Sequence, residues 1–386
     1  MKRILVVCAV ATLCCSLVRA QEAEDSGSGA GLSIIPRAEI GALYDGNDKS
    51  YTPGFGNTSL YTLFEGNISP QWSFSVANHW LQADGWADAG SFDDALFSPS
   101  KDLYRFDNNA SNLIDWAYIT YAPGNFEFSL GKQMLLAGGF EFDEYDFNVN
   151  PFMASEFWNS FTCYQPAFSA AYSIPSIDSK ITFQLATGPV GSASYALGWD
   201  GTYGPLSIKY SALSYKTQFT DDPRELLICL GHSLELGSFT LNLDYFNHCG
   251  DPNALCEEDG YVQFPAVKGH TVVGSLSWDA GEKWDAGIKC AFNGTDSKAP
   301  YGSGPDSLPR HPDIYDGADV YVLGDDEIQN LGTINGGVWV SWSPTADKEA
   351  FRIQAAAGVN SYNYDQGEGS PFLTIGAIWN FSFNLW

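Results

Sequence analysis

The connections in this chain constrain its fold more than any single motif does. Sixteen segments alternate apolar and polar residues, at 33–44, 58–68, 72–82, 112–121, 126–136, 162–173, 180–188, 193–200, 205–216, 224–234, 238–248, 268–278, 283–293, 332–343, 350–361 and 371–384. A period of two marks a strand with one apolar face. In 238–248, Phe239, Leu241, Leu243 and Tyr245 share one face and Thr240, Asn242 and Asp244 the other; 283–293 and 350–361 follow the same rule. From the second segment onward the connections are by turns short and generally longer. The short ones, 69–71, 122–125, 174–179, 201–204, 235–237, 279–282 and 344–349, carry turn residues. The longest fall between them, at 82–111, 137–161, 249–267 and 294–331.

A soluble sandwich has no reason to gather its long connections at one end. A barrel crossing an outer membrane does: it has an even number of antiparallel strands, short turns on one side and long loops on the other. About 9–11 tilted residues cross the hydrocarbon, which matches the segments. Closure also satisfies every backbone donor and acceptor in lipid. The expected fold is therefore all-β, a transmembrane antiparallel up-and-down β-barrel of about 16 strands over 33–386, with a lumen wide enough for water.

Composition agrees. Aromatics reach 15% while charged residues are only 17%, a balance of strands and turns rather than of a helical bundle or a disordered acidic tail. With 46 Asp and Glu against 19 Lys and Arg the net charge is −27, so nucleic acid is not an expected partner. Met1-Lys2-Arg3, an apolar run and Val18-Arg19-Ala20 read as a signal peptide at 1–20. Residues 21–32 then form a short N-terminal segment. Of the cysteines beyond the signal, Cys249 and Cys256 flank an Asp-Pro-Asn turn and are the candidates for a loop disulfide. His248 beside them lacks a second ligand pair, so no metal and no cofactor are assigned.

Trp72, Phe126, Phe239 and Trp284 open strands and Trp278 and Trp342 end them, all beside short turns, as an interfacial aromatic girdle requires. The last residues, Phe381-Ser382-Phe383-Asn384-Leu385-Trp386, are aromatic. With the signal, strand number and loop alternation, the chain resembles bacterial outer-membrane porins over 33–386. Asn112 to Tyr121, Ala122-Pro123-Gly124 and Phe126 to Gln133 are similar to the phosphate-selective porin group, although few lumen bases are present and anion selectivity is not carried over. The resemblance implies a bacterial outer-membrane location, outer-membrane lipid around the barrel, passive diffusion of small hydrophilic solutes or ions, a homotrimer, recognition of the C-terminal strand by the barrel-assembly machinery, and a third loop, about 137–161, folded inward. Trp379, Phe381, Phe383 and Leu385 alternate together and leave Trp386 on the other face, a phase that a terminal bulge restores.

If apolar faces meet lipid, the pore wall carries Arg37, Glu39, Asp115, Lys209, Asp244, Asp285, Lys289 and Arg352, together with His79, Glu127, Gln184, Asn242 and Gln354. Lys132 shares parity with Phe128 and Leu130, and a bulge near Gly131 is expected to turn it from lipid. By the resemblance, Glu141, Asp143, Glu144, Asp146 and Glu156 of the third loop face Arg37, Lys209, Lys289 and Arg352 across a constriction. Rings of carboxylates favour cations. The alternatives are a solvated acidic loop or a calcium site at Asp143, Glu144 and Asp146, without EF-hand spacing. No enzyme is read: only His79 beside Ser73 and Ser75 suggests a hydrolytic set, and His232 and His270 share apolar parity. The rival reading is a secreted soluble β-rich glycan-binding protein.

Overall fold

Nearly every alternating segment becomes a strand paired on both sides. The computed structural model describes residues 28–45, 50–54, 58–82, 114–143, 148, 150, 152–155, 157–158, 164–187, 193–215, 225–249, 268–296, 333–345, 347–363 and 368–385. The strands are β1 (Gly29–Asp45), β2 (Ser50–Gly54), β3 (Ser59–Ser69), β4 (Trp72–Gln82), β5 (Ile114–Tyr121), β6 (Phe126–Met134), β7 (Tyr164–Ile174), β8 (Ser179–Thr187) and β9 (Ala193–Tyr203). They continue as β10 (Leu206–Tyr215), β11 (Glu225–Leu236), β12 (Phe239–Cys249), β13 (Lys268–Asp279), β14 (Trp284–Asp296), β15 (Thr333–Trp342), β16 (Phe351–Asn363), β17 (Glu368–Trp379) and β18 (Phe381–Asn384). No helix among the described residues is long and apolar enough to cross a membrane.

The sheet closes on itself with sixteen staves. β2 and β3 are two pieces of one stave, pairing with Gly41–Asp45 and Gly29–Arg37 of β1. β17 and β18 form the last stave and pair with the other edge of β1, where Arg37 faces Ile378 and Ile34 faces Phe381. That register runs without a shift, so no bulge rephases the terminus as far as Leu385, and Trp386 lies outside the described residues. β1 starts at Gly29, inside the expected N-terminal segment, because Gly31–Ile34 are needed to pair with Phe381–Asn384 and close the barrel. The short β2 was hidden by Pro53 and Gly54, which read as turn residues.

One face of each stave is apolar and exposed, as at Leu130, Leu197, Leu243, Leu373 and Ile375; the other carries buried polar groups such as Ser129, Gln184, Lys209, Asp244 and Thr374. At the short-turn end the girdle is made of cross-strand aromatic pairs: Trp72 with Tyr121, Phe126 with Tyr172, Phe239 with Trp278, Trp284 with Trp342 and Phe351 with Trp379, with centroids 4.6–6.2 Å apart. Polar groups on the outer face are satisfied by neighbours. Tyr210 Oη lies 2.8 Å from His232 Nε2, and Tyr245 Oη lies 2.7 Å from His270 Nδ1. Lys132 keeps its lipid-side parity, since β6 runs against β7 in unbroken register. Instead of a bulge, its ammonium reaches the Ile114 carbonyl at 2.5 Å, at the long-loop rim, which removes the charge from the apolar belt by snorkelling. Cys229 is buried and Cys290 exposed, both as free thiols, while Cys256 lies outside the described residues.

Two features fix neighbouring staves. Gly337 and Gly358 face each other across β15 and β16, and a Cβ at Gly358 would stand 2.0 Å from the Gly336 carbonyl oxygen. Lys348, in the turn between those strands, donates to Asp279 Oδ1 at 2.8 Å and Asp285 Oδ1 at 2.7 Å, clipping this turn to the next. Partial burial pulls its ammonium down, and the two carboxylates outweigh that and raise it above the ordinary lysine value of 10.5. Gly358→Val is expected to destabilise the barrel by about 1–3 kcal/mol through overpacking, read as a lower denaturation midpoint of the folded, faster-migrating gel band. Lys348→Met is expected to cost about 0.5 kcal/mol near neutral pH, as partly exposed pairs do. Because the folded-state value is raised, that stabilisation is fully present below 10.5 and disappears as pH rises through the folded value. The melting curves of parent and variant should therefore converge in strong alkali.

Candidate pore constriction

The long connection between β6 and β7 lies against the polar inner face. Its first step uses Gln184, whose side chain accepts from the Leu136 amide and donates to the Met134 carbonyl, both at 2.9 Å. Ser211 Oγ then donates to the Ala137 carbonyl at 2.6 Å. Gly138 and Gly139 follow with φ of +70° and +79°. Both positions need glycine, because a Cβ would meet Ser211 Oγ at 2.8 Å or the Phe246 ring at 2.9 Å.

Beyond this turn the chain is held by a carboxylate. Asp244 of β12 accepts the Phe140 amide at 2.9 Å and the Glu141 amide at 2.7 Å. Glu141–Asp143 forms a single 3-10 turn with all three residues buried. Glu141 takes Lys289 at 2.9 Å on Oε1 and also accepts the Ser155 amide and hydroxyl, at 2.9 and 2.7 Å. Asp143 pairs with Lys209, whose ammonium lies 5.4 Å from the Phe140 ring centroid. Phe142, Phe157 and Phe246 pack edge to face and tilted beneath, with centroids 4.9–5.6 Å apart. Farther along, Arg352 donates to Asn148, Asn335 donates to the Ala154 carbonyl at 2.8 Å, and Phe152 packs on Phe372 at 5.2 Å. The described part of the connection thus reaches from β8 to β17 across the inner face.

All eight wall residues named from sequence lie on that face. Lys209 and Lys289 contact the acids directly, and Arg352 contacts Asn148, so Glu141 and Asp143 are not held apart from the bases by a gap. Arg37 is 1% exposed and bonds Glu39, itself 2% exposed, at 2.5 Å along the same strand. Asp115 sits where the β4–β5 register shifts, with its carboxylate 3.7 Å from His79 Nδ1. Asp285 belongs to the Lys348 clip. Glu144, Asp146 and Glu156 lie outside the described residues. Among the described residues no group of three or more His, Cys, Asp or Glu is placed to hold a metal.

Of the two serines beside His79, Ser75 is engaged by other groups. Ser75 Oγ donates to Glu65 at 2.6 Å and accepts from Trp116 Nε1 at 2.7 Å, while His79 stacks on Tyr61 at 3.8 Å. Sequence reasoning missed Asn148, Ser155 and Asn335 as docking groups. Their only signal was polarity at inward or loop positions. Asp244 was named for the pore wall, yet its role is to anchor backbone amides 103 and 104 residues away in sequence.

Below the connection, toward the short turns, a cavity of about 280 Å³ opens between it and the wall of β12–β16, lined by charged, amide and hydroxyl side chains and by apolar ones that include Phe140, Met153, Val273 and Trp339. No family model matches the sequence. No curated protein matches it either. Solved structures do. The outer membrane channel DcaP of Acinetobacter baumannii superposes with a TM-score of 0.59 at 12% identity, over 92% of this chain and 98% of that one. The anion-selective porin of Comamonas acidovorans gives 0.57 at 12% identity, over 92% and 100%. A loop L8 deletion mutant of OmpT, an outer membrane protein of Vibrio cholerae, gives 0.54 at 11% identity, over 92% and 100%. At such identities the likeness shows the fold, and the fold is a closed sixteen-stranded barrel of the outer-membrane porin kind.

Proposed function

We propose that the protein is a porin of a bacterial outer membrane, a water-filled channel through which small hydrophilic solutes or ions diffuse passively, without chemistry. The observation that carries this is the division of the closed sheet: exposed apolar side chains and an aromatic girdle outside, polar and charged groups inside. A soluble protein rarely exposes contiguous apolar surface beyond a few hundred Å². That disfavours the secreted glycan-binding reading, which also gives no account of the inner face. In the same reading the barrel is surrounded by outer-membrane lipid, assembled by the barrel-assembly machinery and trimeric, and the connection at 137–161 is the constriction. Purified protein in a planar bilayer should give stable single-channel steps; a protein that leaves cells without detergent and gives no steps would overturn the proposal.

Ion preference follows from the pairing. Removing the acids with Glu141→Gln and Asp143→Asn leaves Lys289 and Lys209 uncompensated, so the reversal potential under a salt gradient should move toward anions. Lys209→Met with Lys289→Met should move it toward cations. Losing one partner of a buried pair costs about 3–5 kcal/mol. Both double variants should therefore loosen the connection and give noisier, larger conductance steps than the parent. Equal reversal potentials in dilute salt for all three proteins would remove this segment from selectivity.

A further inference from the structure

We infer that the cavity beneath the third connection is a binding subsite for a neutral, ring-shaped polyhydroxylated solute of about monosaccharide size. This deepens the channel reading and rests on it. The volume of about 280 Å³ is at the lower end of small-molecule sites, roughly 300–1,000 Å³.

The charges lining it already hold hydrogen-bonding partners. Lys289 is held by Glu141, and Asp285 by Lys348 from the turn below. Asp244 is occupied by two backbone amides, and Arg352 donates to Asn148. Two cations and three acids face the cavity, and Lys348 pairs with one of the three, Asp285, while also holding Asp279. A charged ligand would have to compete with the hydrogen bonds and ion pairs that these groups already make.

Hydrogen-bonding capacity that remains is neutral. Asn242 Oδ1 is buried with no hydrogen-bond partner among the described residues, an arrangement that costs stability unless something donates to it. Ser275, Ser341 and Gln354 line the same space and make no side-chain hydrogen bond among the described residues. Together they present acceptors and donors of the kind that hydroxyl groups satisfy in both senses.

Among the apolar groups that line it, with Phe140, Met153 and Val273, the flat one on the barrel wall is Trp339. It pairs directly with Gly287 on β14, and a Cβ there would lie 2.8 Å from the indole Cε2 and Nε1. The glycine lets the indole lie close over the neighbouring strand, so that the ring lines the cavity beside the hydroxyl and amide groups. A flat apolar surface with polar groups at its edge matches a pyranose, whose C–H face is apolar and whose rim carries hydroxyls. An open-chain polyol has the hydroxyls without the flat face.

The test uses the full barrel in planar bilayers with glucose, sorbitol and gluconate, three probes of one carbon skeleton. Glucose is expected to reduce the current with saturable concentration dependence, beyond the viscosity effect given by sorbitol, with gluconate weaker than glucose. Trp339→Leu and Asn242→Ala should each raise the half-blocking concentration about fivefold, the factor for about 1 kcal/mol. If Trp339→Leu fails to assemble because it packs against the third connection, Asn242→Ala carries the test alone. Gluconate binding better than glucose would overturn the neutral site, and sorbitol equal to glucose would overturn the ring platform. A parent with normal steps and no saturable glucose effect sinks the subsite alone, whereas absence of steps in every condition sinks the channel reading beneath it.

Discussion

Closure of the sheet is the constraint on which everything else rests. In hydrocarbon an unpaired backbone amide or carbonyl costs several kcal/mol, and an open sheet would present two edges of them. The seam is β1. Its outer half takes β17 on one side and β2 on the other, its inner half β18 and β3, so one long strand is the shared partner of four strand pieces. This explains why the strand begins as early as Gly29. With the edges gone, alternation decides the rest: each residue is either in the belt or in the lumen.

The lumen then poses the opposite problem. Its wall is polar, so a long connection entering it cannot be held by apolar burial alone. The third connection meets the wall with backbone amides on Asp244, carboxylates on Lys209 and Lys289, and a small aromatic set of Phe142, Phe157 and Phe246. The polar interactions are strengthened by partial exclusion of water, and each ion pair would leave a buried charge if its partner were lost. Docking by paired charges holds the segment firmly while adding almost no net field.

Much of the architecture was legible because it depends on period and connection length, both local properties of the sequence. All sixteen staves, the girdle and the inward parity of seven of the eight wall residues follow from those two; Asp115 shares the parity of the exposed Ile119 and is turned inward by the register shift between β4 and β5. What was not legible depends on contacts between residues far apart. Lys132 shows this: its parity was right, but the expected bulge at Gly131 was replaced by a bond to the Ile114 carbonyl on the adjacent strand. The acids Glu141 and Asp143 were read as facing bases across a gap. Sequence shows their sign and number, not the 2.9 Å separation of Glu141 from Lys289. Arg37 and Glu39, two residues apart, were legible as wall residues, and their mutual bond follows from strand geometry, which puts i and i+2 on one face.

The pairing also separates the charge of the protein from the charge of its lumen. A net of −27 describes the whole chain, whereas at the inner face three acids are offset locally, Glu39 by Arg37, Asp143 by Lys209 and Glu141 by Lys289. Charge outside the lumen acts through the solvent and is screened within about 8 Å at physiological salt, so it changes the local concentration of ions at the mouth. If the barrel conducts as proposed, charge at the third connection acts on a solute in contact, and selectivity is then set by a few inward residues and their partners rather than by the composition of the whole chain.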